Sequence, residues 1–235
     1  MDAIILAAGR GDRLRPLTDT LPKPLIQIAG FSLIELHLFR LAQAGYRRVI
    51  INLHHLGELI EAKLGNGERY GLSIHYSYEH GGALETAGGI IQALPLIQSQ
   101  RFIAISADIL CDFDLSSLHD CLKNNVNGHL VLIDNPEHHP EGDFGLNASG
   151  MIDNTQAAKK TFSGIACFDK QLFSHYAPQK RALRPVLERA ITAQQLSGEF
   201  YSGLWSDIGT PERLKQAQVS PSVLEYIDAI KQSIS

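Results

Sequence analysis

The residues best suited to chemistry on phosphate lie in Leu6-Ala7-Ala8-Gly9-Arg10-Gly11-Asp12-Arg13-Leu14-Arg15-Pro16-Leu17-Thr18 and in the following Leu21-Pro22-Lys23-Pro24-Leu25. Gly9 and Gly11 leave backbone N–H groups bare, so phosphate oxygens can approach them closely. Arg10, Arg13, Arg15 and Lys23 add cationic side chains, and prolines 16, 22 and 24 stiffen the segment against α-helix formation. A triphosphate carries about four negative charges, which a preorganised set of backbone donors with Arg and Lys would offset. Two familiar phosphate motifs are excluded. The dinucleotide fingerprint requires a third glycine where Leu14 stands, and a P-loop requires Lys close to the first glycine and followed by Ser or Thr, whereas Lys23 is distant and followed by Pro24. A plain surface turn rich in Gly, Pro and Arg fits the same residues.

These side chains need a frame. The apolar run from Ala3 to Ala8 reads as a strand buried on both faces of a parallel sheet, so the glycine loop leaves the carboxyl end of that strand, where open α/β sheets bind ligands. Leu33 to Ala44 has helical periodicity ending at Gly45, Arg48 to Leu53 reads as a strand, Leu56 to Leu64 as a helix and Leu72 to Tyr76 as a strand. Thr86 to Leu94 follows as a helix and Phe102 to Ser106 as a fourth strand, which puts Asp108 at the mouth of the sheet. The alternation predicts a doubly wound α/β fold with a mostly parallel sheet. Further on, Leu130 to Asp134, Phe144 to Leu146, Met151 to Asp153 and Thr161 to Phe168 read as strands with some antiparallel pairing, and helices return at Leu183 to Gln194, Pro211 to Gln218 and Ser222 to Gln232.

The 235 residues carry 44% hydrophobic and 20% charged side chains with a formal charge of -4, which predicts one globular domain. Its expected parts are a nucleotide half over about 1–110, a sugar half over about 111–220 and a C-terminal helix over about 221–235. No basic surplus points to nucleic acid. Cys111, Cys121 and Cys167 lack zinc or redox spacing and read as reduced thiols. No apolar run is long enough to span a bilayer and no charged leader precedes the first strand, so a cytoplasmic protein without a membrane partner is expected.

The run Gly9-x-Gly11-Asp12-Arg13-Leu14-x-Pro16-Leu17-Thr18 with Pro22-Lys23-Pro24-Leu25 resembles the signature of the sugar-phosphate nucleotidyltransferase family. The similarity continues in Leu84-Glu85-Thr86-Ala87-Gly88-Gly89, Ser106-Ala107-Asp108 and Trp205-Ser206-Asp207-Ile208-Gly209-Thr210, so it spans nearly the whole chain. It implies a Rossmann-like nucleotidyltransferase fold, a nucleoside triphosphate and a sugar 1-phosphate as substrates, and Mg²⁺ as cofactor. By this resemblance Asp108 and Asp207 hold the metal, Arg13 clamps the β and γ phosphates, and Lys23 meets the α-phosphate as the other catalytic residue. Gly9, Gly11, Asp12, Arg13, Lys23, Glu79, Ala83 and Gly88 are then nucleotide contacts, with the base against residues 79–88. Ser106, Asp143 and Ser163 fall near the sugar phosphate. Ala107 stands where the family usually has Gly, and Ser106 where Asn is common. As simpler alternatives, Asp108 and Asp207 are strand-end turn or cap residues, and residues 79–83 a flexible turn.

The short chain, the Leu84-Glu85-Thr86 variant and the segment Asp134-Asn135-Pro136-Glu137-His138-His139-Pro140-Glu141-Gly142-Asp143-Phe144 resemble the uridylyltransferase branch that acts on N-acetylmuramate 1-phosphate in peptidoglycan recycling. Read by themselves, His138-His139 and His54-His55 are solvated loop residues. Mannose 1-phosphate guanylyltransferase and glucose 1-phosphate thymidylyltransferase activities remain open within the family. A catalytically silent nucleotide-sugar-binding subunit should have lost Arg13, Lys23 or the two aspartates, and all four are present.

Overall fold

A computed structural model describes residues 1–123, 125–155 and 158–234. In chain order the elements are β1 (Asp2–Leu6), β2 (Gln27–Ile28), β3 (Phe31–Ser32), α1 (Leu33–Gln43), β4 (Arg48–Leu53), α2 (Gly57–Leu64), β5 (Ser73–Tyr78), α3 (Glu85–Ala93) and β6 (Arg101–Ser106). They continue with β7 (Ile109–Cys111), β8 (Gly128–Ile133), β9 (Phe144–Gly145), β10 (Lys159–Asp169), α4 (Leu183–Thr192), β11 (Leu196–Phe200), β12 (Trp205–Asp207), α5 (Pro211–Val219) and α6 (Pro221–Ile234).

The main sheet runs β11-β8-β10-β6-β1-β4-β5. β1 lies parallel to both β4 and β6, with Ala3 opposite Val49 and Ile103, and β4 lies parallel to β5. β10 is antiparallel to β6 and β8, β11 is parallel to β8, and β9 pairs with the start of β10. The fold is therefore a mostly parallel, doubly wound sheet with an antiparallel portion in its later half, as the strand and helix alternation predicts.

Successive side chains of a strand point to opposite faces, and each face has its own core. Ala3 and Ile5 pack with α1 and α2 through Ile34, Leu38, Ile60 and Leu64, while Ile4 packs with α3 and α4 through Ile90, Ala87, Val186 and Leu187. Burial of each such Ile or Leu stabilises the fold by roughly 1.5–3 kcal/mol. A third cluster joins Leu14, Ile26, Leu33 and Leu36 to Ile208, Ala217, Val223, Ile227 and Ile230. Through it α5 and α6 support the glycine-rich loop from behind. No described helix is long and apolar enough to cross a membrane.

Three differences from the sequence reading have local causes. Met151 to Asp153 forms only bridges, Leu146 to Ile152 and Met151 to Ser197, because the Asn147 carboxamide oxygen accepts the Ser149 and Met151 N–H groups and holds the chain in a turn. β11 is unforeseen: Leu196-Ser197-Gly198-Glu199-Phe200 lacks a continuous apolar run because it is an edge strand. The proline-rich loop is not irregular but folds into three 3-10 turns, Asp12–Leu14, Leu17–Asp19 and Lys23–Leu25. The last residue of the expected C-terminal helix, 235, lies outside the described residues, as do 124, 156 and 157 of the expected sugar half.

Candidate active site

The loop after β1 is closed on itself by short hydrogen bonds. Gly11 sits at φ 73°, a left-handed conformation that favours glycine, and its carbonyl accepts both the Leu14 N–H and the Thr18 hydroxyl at 2.9 Å. Gly9 lines the adjoining cavity, and a methyl group added there would meet no atom within 4 Å. The protein's own packing therefore does not demand glycine at position 9, whereas close approach of a ligand to the backbone would. Arg10 pairs with Asp12 at 3.3 Å and Arg15 with Asp19 at 2.7 Å, while Arg13 makes no ion pair among the described residues and faces the cavity.

That cavity, about 540 Å³, is bounded on its other side by Asn52, Glu79, Ala83 and the start of α3. Asn52 is a polar residue between the apolar Val49-Ile50-Ile51 and Leu53 of β4, and its carboxamide fastens three segments. It accepts the Ala7 N–H at 2.7 Å and donates to Glu79 Oε1 at 2.7 Å, while Glu79 Oε2 accepts the Leu84 N–H at 2.7 Å. Glu79 is only 3% exposed, and both its oxygens are engaged. It shapes the loop 79–84 rather than offering a free edge to a base.

Lys23 is 8% exposed, and its Nζ forms an ion pair and hydrogen bond with Asp108. Asp108 follows β6 in the turn to β7. β7 pairs with β12 so that Ile109 lies opposite Asp207, and the Ile208 N–H donates to the Asp108 carbonyl at 2.8 Å. The two aspartates thus occupy neighbouring segments. Asp207 is held by Arg213 Nη2 at 3.1 Å and faces His138 Nε2 at 3.4 Å. Among the described residues no group of three His, Cys, Asp or Glu gathers into a closed metal cage. Two carboxylates suit a hard cation that keeps water and substrate phosphate in its remaining positions, which is how Mg²⁺ is usually held.

A second cavity, about 820 Å³, opens on the far side of Ser106 and Asp108. Leu6, Arg13, Glu85, Thr86, Ser106 and Asp108 line both cavities, so the two are contiguous. The second is walled by Pro136, His138, His139, Phe162, Arg184 and Trp205 among others, and Trp205 Nε1 donates to the Ser163 carbonyl at 2.8 Å. Cations, two nearby carboxylates and two adjoining chambers can hold a pair of anionic substrates with their reacting ends together.

The nucleotidyl transferase family model matches residues 2–221. The chain belongs to this family. It is 45% identical to the N-acetylmuramate alpha-1-phosphate uridylyltransferase of Neisseria meningitidis serogroup B, covering 93% of this chain and 97% of that one. It is 30% identical to the enzyme of the same name from Caulobacter vibrioides, over 89% and 92% of the two chains. Among solved structures, HddC from Yersinia pseudotuberculosis, complexed with GMP-PN, has the same fold, with a TM-score of 0.77 at 21% identity and coverage of 92% and 97%.

Within this family fold, the structure brings together Gly9, Gly11, Asp12, Arg13, Lys23, Glu79, Ala83, Ser106 and Asp108 around the first cavity, and Asp207 joins Ser106 and Asp108 around the second. Other expected contacts need correction. Gly88 does not line either cavity. A Cβ there would come within 2.5 Å of the Gln179 carbonyl, and the Gly88 N–H donates to the Arg181 carbonyl, so this glycine lets residues 179–181 lie against α3. Asp143 also stays out of the lining. Its carboxylate accepts the Phe162 N–H at 2.8 Å and meets His139 Nε2 at 3.2 Å, which makes it a support for the wall. Ser163, by contrast, does line the second cavity; it is fully buried, and its hydroxyl accepts the Ile165 N–H at 3.1 Å inside the irregular stretch of β10 between Phe162 and Ala166. His138 and His139 are not simply solvated, since both line the second cavity. Helix α3 begins at Glu85, one residue earlier than expected. Sequence reasoning missed Asn52, for which the signal was a polar residue between the apolar Val49-Ile50-Ile51 and Leu53, and Arg184, for which there was none.

Proposed function

We propose that this chain transfers a uridylyl group from UTP to N-acetylmuramate α-1-phosphate and releases pyrophosphate. The observation that carries the transferase reading is the meeting of two cavities at Ser106 and Asp108, with Lys23 against Asp108 and Arg13 lining both. The choice of uridine and muramate follows the likeness to the Neisseria enzyme along nearly the whole of both chains. On this reading the reaction recovers a peptidoglycan sugar in the cytoplasm.

The attacking group is the phosphate of the sugar. A phosphomonoester loses its second proton near a pKa of about 6, so it is an anion at neutral pH and needs no general base. The obstacle is the approach of two polyanions. In this assignment the loop after Gly9 seats the triphosphate on backbone N–H groups, Arg13 neutralises its β and γ phosphates, and Lys23 faces the α-phosphate where the charge shifts. Asp108 and Asp207 are the residues that would hold Mg²⁺, which when bound supplies further positive charge to the phosphates. Asp108 holds the Lys23 ammonium in place through their ion pair.

The test is pyrophosphate release by the pure protein with a panel of triphosphates and sugar 1-phosphates. UTP with N-acetylmuramate 1-phosphate should give the highest kcat/KM. Faster turnover of GTP with mannose 1-phosphate, or of dTTP with glucose 1-phosphate, would overturn the substrate choice and leave the reaction class intact.

A further inference from the structure

The second cavity carries positive charge in a place that attack on the α-phosphate does not use. Arg184 lines this cavity and not the first. Its guanidinium is fixed from several sides: it stacks over the Phe144 ring with Cζ 4.4 Å from the centroid, Nε donates to Glu188 Oε1 at 2.8 Å, and Nη1 donates to the Asp143 carbonyl at 3.1 Å. Its Nη2 makes no hydrogen bond among the described residues. His139 reaches the same anchor, with Nε2 3.2 Å from Asp143 Oδ1. Arg184 is also the second residue of α4, whose cap residue Ala182 has no side-chain acceptor for the first-turn N–H groups, and both Ala182 and Leu183 face the cavity. A rigid guanidinium, an imidazole beside it and an uncapped helix start therefore border one chamber.

We propose that Arg184, with His139 at its side, reads a carboxylate on the sugar. This rests on the substrate reading above, and it names the part of the substrate that the cavity selects. N-acetylmuramate differs from N-acetylglucosamine by a lactyl ether on O3, which adds a carboxylate away from the anomeric phosphate. A planar guanidinium with a spare edge matches a carboxylate better than it matches a hydroxyl. The carboxylates around it are already engaged: Asp143 by Phe162 and His139, Asp207 by Arg213, and Glu85 by Lys180 at 3.7 Å.

The experiment compares N-acetylmuramate 1-phosphate with N-acetylglucosamine 1-phosphate, each with UTP, as a ratio of kcat/KM values. Native protein should favour the first, and Arg184→Gln should cut that ratio ~10- to 100-fold, the range for a hydrogen bond to a charged group. Arg184→Lys should fall between, because it keeps the charge and loses the fork. His139→Gln should cut the ratio less. KM for UTP in each variant reports whether the fold is kept. A native preference that persists in Arg184→Gln, or a loss shared equally by both sugars, overturns the assignment alone. A native ratio near one overturns the substrate reading and this assignment together.

Discussion

Lys23 and Asp108 form the contact on which the proposed chemistry turns. A lysine that is 8% exposed needs a counter-charge, and Asp108 supplies it at the point where the two cavities join. Lys23→Ala is expected to lower kcat/KM by at least ~100-fold, equivalent to roughly 2.7 kcal/mol of transition-state stabilisation. Steady-state kinetics on a variant with native circular dichroism checks this, and near-normal turnover would remove Lys23 from the mechanism. Asn52 acts differently, by fastening Ala7 and Glu79. Asn52→Ala leaves a buried carboxylate short of a donor and should lower stability by about 1–3 kcal/mol in urea unfolding. At this scale the sequence revealed groups that end a strand or stand in a loop, such as Gly9, Lys23 and Asp108. It misplaced Gly88 and Asp143, because whether a glycine or a carboxylate faces a cavity or neighbouring backbone depends on partners elsewhere in the chain, residues 179 to 181 for Gly88 and Phe162 for Asp143.

Helix α1 shows how one element serves the site from behind. Glu35 takes the Ser32 N–H at 3.1 Å and the Ser32 hydroxyl at 2.7 Å on one oxygen, and Arg69 and the Tyr70 hydroxyl at 2.9 and 3.0 Å on the other. Burial alone would raise its pKa, but the hydrogen bonds from Ser32 and Tyr70 with the Lys63 charge bring it below the ordinary 4.5. A carboxyl whose folded pKa is lowered contributes stability above its unfolded pKa and loses it as the pH falls through the folded value. Glu35→Gln should therefore flatten the loss of stability below about pH 4.5, and a thermal-melting series across that range would read it. Helix α3 makes a sterner case. Gly88→Ala places a methyl 2.5 Å from the Gln179 carbonyl, so α3 must move, at an expected cost of about 1–3 kcal/mol and with weaker nucleotide binding by calorimetry. The long elements were legible because β1, β4 and β6 are buried on both faces and carry the apolar stretches Ala3-Ile4-Ile5-Leu6, Val49-Ile50-Ile51 and Phe102-Ile103-Ala104-Ile105. The pair β7 and β12 was not, since three residues carry too little periodicity to register, although this pair brings Asp207 to Asp108.

The whole molecule arranges one sheet so that its strand ends carry both chambers. β6 is the shared member, with parallel β1 on one side and antiparallel β10 on the other, and Ser106 at its end borders both cavities. The third core ties α5 and α6 to the loop after β1, so loss of packing there should loosen the proposed triphosphate site. Val223→Ala is expected to destabilise by about 1–3 kcal/mol and to raise KM for UTP more than it lowers kcat. Chelation of divalent cations should abolish pyrophosphate release and added Mg²⁺ should restore it, whereas activity that persists in excess chelator would remove the metal from Asp108 and Asp207. The most direct measurement is a crystal structure with Mg²⁺, a non-hydrolysable UTP analogue and the sugar 1-phosphate. The expected result has the triphosphate along Gly9 to Lys23, the metal on Asp108 and Asp207, and the sugar beyond Ser106. A nucleotide bound elsewhere on the surface, or a metal that touches neither aspartate, would contradict it.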